Sequence, residues 1–178
     1  MLIKCRNTHL GATELTKIKN ENPLILEIIA PELTEIPSLP KSVKNLKLTT
    51  PKLDFSQLKL SDNDLEFLKI KGAAQALKIT VLPKTLKNLY LENVAVEMNS
   101  QNLPNLTEIT IINCELKNFP FTGKQINKLS RLVLDQNKIT KISLDILELP
   151  SLNHFSIEDN PLEVEFKNWL EKKFPHRF

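Results

Sequence analysis

Asp135 and Glu158 occupy equivalent places in two neighbouring segments of the chain, and His154 precedes Glu158 by four residues. Two carboxylates on adjacent strands, about 4.8 Å apart, next to an imidazole are the raw material of acid/base hydrolysis. That chemistry also needs a cleft that excludes water and pushes the carboxyl pKa values apart. On an open surface the same residues are a solvated acidic patch whose charges water and salt screen. The second reading is the one expected, so no residue is assigned as catalytic. Other reactive types lack the company their chemistry requires. His9, His154 and His176 show no metal-ligand spacing to one another or to a cysteine. Cys5 carries no nucleophile signature around it. The only glycines are Gly11, Gly72 and Gly123, too scattered for a phosphate-cradling loop. Neither a metal nor a cofactor is expected.

The elements that position these residues are written in a repeat. Strings of the form Leu-x-x-Leu-x-Leu start at Pro23, Val43, Leu65, Leu86, Leu106, Leu129 and Leu152, at intervals of 20, 22, 21, 20, 23 and 23 residues. Leu129, Leu132, Leu134, Asn137 and Ile139 complete the longer pattern Leu-x-x-Leu-x-Leu-x-x-Asn-x-Leu, and Leu152, Phe155, Ile157, Asn160 and Leu162 complete it again. Leu106, Ile109, Ile111, Cys114 and Leu116 form a third copy with Cys in the Asn position. Upstream the copies drift, with Val94, Ala73, Pro51 and Pro31 in that position. A near-duplicate supports the phasing: Leu39 to Leu48 recurs as Leu82 to Leu91, 43 residues later, which is two repeats. A competing phase through Phe55, Leu58, Leu60, Asn63 and Leu65 starts only 12 residues after Val43. That leaves too little chain for a strand and its return, so Asn63 is read as a turn residue. Periodicity of this kind is the mark of a leucine-rich-repeat solenoid, an α/β architecture with a curved parallel sheet on its concave side. Turns, 3₁₀ segments and short helices are expected on the convex side.

Seven repeats over residues 23–162 make one domain of the 178-residue chain. In a solenoid the core lies between neighbouring repeats, so the array must be closed at its ends. After Leu162, Phe166, Trp169, Leu170 and Phe174 fall at helical spacing, with Lys167, Glu171 and Lys172 on the opposite face. Residues 163–178 are therefore read as an amphipathic cap helix and tail, ending before Pro175. Residues 1–22 form either a short cap using Leu10, Leu15 and Ile18 or a loose arm. The longer intervals leave more room for helix in 117–128 and 140–151 than in the upstream returns, where Leu39-Pro40 and Leu82-Pro83 favour extended turns.

Composition narrows the partners. Lys plus Arg total 24 against 21 Asp plus Glu, a net charge of +3, which is no polyanion-binding excess. Nucleic acid is not expected. No apolar run reaches the roughly 18 residues of a membrane span, and the N-terminus lacks a secretory apolar segment. Cys114 should be buried in the core and Cys5 outside it, which disfavours a disulfide and points to a reducing, cytoplasmic compartment.

Side chains alternate across a strand, so the leucines point inward and the residues between them line the concave face. Three columns result. The first holds Ile25, Asn45, Phe67, Asn88, Glu108, Arg131 and His154; the middle, Glu27, Lys47, Lys69, Tyr90, Thr110, Val133 and Ser156; the third, Ile29, Thr49, Lys71, Glu92, Ile112, Asp135 and Glu158. Lys47, Lys69 and Lys71 lie toward one end, and Glu92, Glu108, Asp135 and Glu158 toward the other. Phe67, Tyr90, Ile112 and Val133 between them are expected to face solvent, as apolar anchors within a charged rim. The alternative is that the aromatics cover one another and the charges only solubilise the face. The partner expected is a folded protein, met by a chain that is monomeric when free.

The strings Leu-Pro-x-x-Leu-x-x-Leu-x-Leu at 39–48 and 82–91 resemble the bacterial subclass of leucine-rich repeats found in effector proteins of type III and type IV secretion systems. The resemblance spans residues 23–162. It implies binding without catalysis: docking on a host protein, or on a second effector whose activity is restrained, after translocation into a host cell. A substrate-recruiting adaptor is the alternative of the same kind, and a hydrolase using Asp135, Glu158 and His154 the alternative of another. Larger relatives append a ubiquitin-ligase domain with a catalytic cysteine, which the sixteen residues after Leu162 do not resemble.

Overall fold

A computed structural model describes residues 1–6, 16–18, 20–36, 38–54 and 59–174. Among the described residues eight strands form one parallel sheet in sequence order: β1 Leu2–Arg6, β2 Ile25–Ile29, β3 Asn45–Thr49, β4 Phe67–Ile79, β5 Asn88–Met98, β6 Glu108–Ile112, β7 Arg131–Val133 and β8 His154–Ser156. Each strand pairs only with its sequence neighbours, so the coils stack in a solenoid-like array with few helices. The seven strands expected from the repeats are all present, and they pair in the expected register. Ile25, Asn45, Phe67, Asn88, Glu108, Arg131 and His154 face one another across successive strands, and so do the seven residues of the middle column. Leu26 and Ile28, Leu46 and Leu48, Leu68 and Ile70, Leu89 and Leu91, Ile109 and Ile111 point inward and are at most 1 % exposed. Burial of each such side chain contributes about 1.5–3 kcal/mol, and a one-residue slip would forfeit all of it at once.

β1 is an addition to the expected array. Its register sets Lys4 against Glu27 and Cys5 against Ile28, and Ile3 and Cys5 pack on the core. Alternation of period two is present in Leu2-Ile3-Lys4-Cys5-Arg6, but without the repeat pattern around it the strand is easily passed over. Cys5 is thereby corrected: it lies on the core side of β1, half-buried, rather than outside. Of the residues considered for an N-terminal cap, Ile18 is buried in a helical stretch, while Leu10 and Leu15 lie outside the described residues. The competing phase is settled by Leu60–Asp62, which is a 3₁₀ turn and not a strand; Phe55 and Leu58 lie outside the described residues. Asn63 closes that turn and is itself buried, its amide donating to the Pro40 carbonyl at 2.8 Å.

Each coil is entered through a tight turn. Val43 donates to the Pro40 carbonyl and Leu86 to the Pro83 carbonyl, so the two Leu-Pro-Lys-(Ser/Thr) copies fold alike. The hydroxyls of Ser42, Thr85 and Ser151, one residue before each repeat start, donate to the carbonyls of Pro23, Leu65 and Leu129 in the preceding coil at 2.7–2.8 Å. The returns differ from expectation in one place. Residues 140–151 contain helix α1, Leu144–Leu147, but 117–128 run as turns. Pro120 and Gly123 oppose helix there, and Phe119 and Phe121 fill the core edge-to-face with centroids 5.2 Å apart. Helix α2, Val164–Lys173, follows the last strand and buries Phe166 and Leu170, with Trp169 and Phe174 half-buried against the core. Its apolar side is the one the spacing marked. No helix among the described residues is long and apolar enough to cross a membrane.

Candidate functional site

The outward sheet face displays the three columns, and its chemistry differs between the two ends. On β3 to β5, Lys47, Phe67, Lys69, Lys71, Asn88, Tyr90 and Glu92 are half-buried because they cover one another. The Lys69 ammonium sits 4.0 Å from the Tyr90 ring centroid, Lys71 lies 5.5 Å from it, and Lys47 is 5.7 Å from the Phe67 ring. Cation–π attraction of this kind is worth about 0.5–1 kcal/mol at exposed sites. Lys71 pairs with Glu92 at 2.5 Å, and the Tyr90 hydroxyl donates to the same carboxylate. Glu27 is held by Lys4 from β1 at 3.3 Å.

These contacts set the titration of the cluster. Hydrogen bonds from Lys71 and Tyr90 hold the Glu92 carboxyl below the usual range. Burial pushes Lys69 down, helped by the charge of Lys71 and Lys47, while its bond to Glu92 holds Lys71 up. Burial, then the bond to Glu92, raises Tyr90. Like charges on adjacent strands repel, and these contacts partly relieve that repulsion within the molecule. The aromatics are not bare anchors: the lysine stems and heads roof them, and Phe67 and Tyr90 present only part of their rings.

At the other end the face opens. Ile112, Arg131, Val133, Asp135, His154, Ser156 and Glu158 line a depression of about 590 Å³. Val133 forms part of its floor and is only 4 % exposed, so its expected solvent-facing position is corrected. A short β-branched side chain flanked by Arg131, Asp135 and, on the next strand, His154 and Ser156 is overtopped by its neighbours. Ile112, Thr110, Arg131, Asp135, His154 and Ser156 are half-buried, and Glu108 and Glu158 are exposed. Asp135 and Glu158 are brought to adjacent coils as expected, with His154 beside them, but their roles diverge. One Asp135 oxygen accepts from the Ser156 hydroxyl at 2.6 Å and from the Glu158 backbone N–H at 2.9 Å. That carboxylate bridges the ends of β7 and β8, while Glu158 extends into solvent.

Asparagines fix this end from behind. Asn137 is buried: its carbonyl accepts from the Cys114 and Leu116 amides, and its amide donates to the Ile111, Leu134 and Asp135 carbonyls. Asn160 repeats the arrangement one coil later, on Ile139, Leu134, Ile157 and Glu158. Cys114 takes the equivalent place in the preceding coil, where burial pushes its thiol up to about 11. Both cysteines are free. Among the described residues no group of three or more His, Cys, Asp or Glu side chains could hold a metal ion. Leu2 and Lys4, on the unexpected β1, extend the first and middle columns of the face.

The architecture defined here is a parallel β-sheet in a solenoid-like stacked arrangement, with one face of its strands outward. No protein-family model, no curated protein and no solved structure matches the chain.

Proposed function

We propose that this chain is a leucine-rich-repeat solenoid, closed at its C-terminal end by α2, which binds a folded protein through the concave face and performs no chemistry of its own. The observation that carries the reading is the unbroken register of the first and middle outward columns over successive strands, with charge segregated along the face. Eight strands span about 34 Å, seven gaps of about 4.8 Å. That length suits an interface of about 800 Å² per partner. A partner with an acidic region opposite Lys47 and Lys69 and a basic region opposite Glu108 and Glu158 would find both charges complemented. Inhibition of the bound protein, a host enzyme or a second effector, is the form of action proposed, in a bacterial effector delivered by a secretion system. That setting rests on the two Leu-Pro-x-x-Leu-x-x-Leu-x-Leu strings. The hydrolase reading is weaker, because Asp135 is already spent on Ser156 and the Glu158 amide, and an acid/base pair needs both carboxylates free to exchange protons.

The test is capture of a partner from host lysate, followed by calorimetric titration with the purified pair. Phe67→Ala combined with Tyr90→Ala should weaken binding at least tenfold while circular dichroism stays unchanged. Undiminished affinity in that folded double variant would reject the concave face as the docking surface.

A further inference from the structure

Beyond the bend at the end of the concave strands, β4 and β5 continue as a second two-stranded ladder, with Leu77 opposite Val96, Lys78 opposite Glu97 and Ile79 opposite Met98. On its other side β5 has almost no neighbour. Val96 donates to the Cys114 carbonyl at 2.9 Å, and there the pairing stops. Asn99 donates back to the Ile79 carbonyl, so strand alternation turns the Met98 N–H and C=O the opposite way, toward the following coil. That coil has turned aside. Glu115 adopts φ 54°, Cys114 and Leu116 give their amides to Asn137, and the Leu116 carbonyl accepts from Lys138. Among the described residues nothing pairs with the outward backbone groups of Met98. A gap of about 410 Å³ is left between Ala95–Met98 and Glu115–Asn118.

We propose that this open edge of β5 is a second docking site, for an extended segment of a partner protein that binds as an added strand. An unpaired strand edge offers its N–H and C=O groups as a ready-made ladder, and here neither a proline nor an inward charge blocks it. The walls define the segment. Alternate side chains of the added strand would turn inward against Met98 and Leu116 and must be apolar. The intervening ones would lie beside Glu97, which is exposed and has no ion-pair partner among the described residues; Glu115 across the gap is already held by Lys138. The occupant is therefore an alternating apolar and basic segment. The site is separate from the concave columns and stands or falls independently of their function.

The probe is a short capped peptide of alternating valine and lysine, titrated into the full chain and followed by fluorescence anisotropy and amide hydrogen exchange. Saturable binding should slow exchange at the Met98 amide at least tenfold. A peptide N-methylated on alternate residues should not bind. Met98→Pro deletes the outward donor without touching the bonds to β4 and should weaken binding at least tenfold. Glu97→Lys, which leaves the backbone intact, should weaken it several-fold, whereas Phe67→Ala with Tyr90→Ala should leave it unchanged. Equal binding of the methylated peptide, protection confined to β7 and β8, indifference to both edge variants, or no binding at all would overturn the proposal. So would a concentration-dependent dimer that masks Met98, since that assigns the edge to a second copy of this chain.

Discussion

The first two repeats and the last two solve the same problem, how to leave the concave strand, with different chemistry at one pair of positions. In the first, Ala30-Pro31 and Thr50-Pro51 start turns closed by Leu33 onto Ala30 and by Leu53 onto Thr50. Proline supplies the fixed φ and disfavours helical geometry in the residue before it. In the last, Gln136 and Asp159 stand before the asparagine with φ of 57° and 55°. The asparagine that follows then satisfies the backbone groups such a turn frees. Gly72, Asn93 and Asn113 take the left-handed geometry at the equivalent place in the coils between. After Gly72 and Asn93 no asparagine follows, and β4 and β5 run on as strands. The teaching is that the strand register is common to all coils while the exit is local. The open edge at Met98 arises where the two solutions meet.

The largest effect that would sharpen this contrast is expected at Asn137. Asn137→Ala orphans the Cys114 and Leu116 amides in the interior, each at about 1–3 kcal/mol, so urea unfolding should show a loss on the order of 3 kcal/mol. Asn160→Ala, at a half-exposed site on the last coil, should lose about half as much. No comparable single hydrogen-bonding side chain occupies this place in the first two coils, where Pro31 and Pro51 stand. Equal losses for Asn137→Ala and Asn160→Ala would mean that burial does not set the value of the asparagine bridge.

A smaller pair of changes tests the residue before it, with opposite signs. A left-handed non-glycine residue costs about 1–2 kcal/mol, and glycine returns part of that as added unfolded-state entropy. Gln136→Gly should therefore stabilise by about 0.5–1 kcal/mol in thermal or urea unfolding. At the equivalent place, Thr50→Gly should destabilise by about 1 kcal/mol or more, because Thr50 is 1 % exposed and is not among the left-handed residues. The same sign at both positions would dissolve the distinction between the two exits.

The parts legible in the sequence were those governed by period. Alternation of Leu-x-Leu sets which side chains enter the core, and a solenoid repeats it with one register, so the columns from Ile25 to His154 and from Glu27 to Ser156 follow from the sequence alone. The apolar spacing of Phe166 and Leu170 marked the buried side of α2 for the same reason. Features set by a single coil were hidden. β1 has the alternation but lacks the full Leu-x-x-Leu-x-Leu string that would phase it. Val133 occupies a concave position, yet its burial depends on the size of its neighbours. The roofing of Tyr90 and Phe67 by lysines depends on side-chain reach across strands, which spacing does not encode. The gap beside β5 depends on where Asn137 sends its hydrogen bonds.

The two ends of the concave face also differ, and Tyr90 is the place to probe it. Tyr90→Phe keeps the ring under Lys69 and removes the hydroxyl with its bonds to Glu92 and Lys71, which should cost about 0.5–1.5 kcal/mol. Ser156→Ala, removing one of two donors to Asp135, should cost no more than that, since the Glu158 amide still holds the carboxylate.

Acid should give the smallest effect, but with a definite sign. The Glu92 carboxyl is held low by Lys71 and Tyr90. A carboxylate whose folded pKa lies below its unfolded value, about 4.3, adds stability that is fully present above that unfolded value and is lost as pH falls through the folded one. Unfolding free energy should therefore decline on acidification below about pH 5, and part of that slope should vanish in Glu92→Gln, which cannot titrate. Added salt should shrink the effect further, because both partners of the Lys71–Glu92 pair are part-exposed. An acid slope in Glu92→Gln as steep as in the unaltered chain, in the same urea titrations, would mean that the bonds from Lys71 and Tyr90 do not hold this carboxyl low.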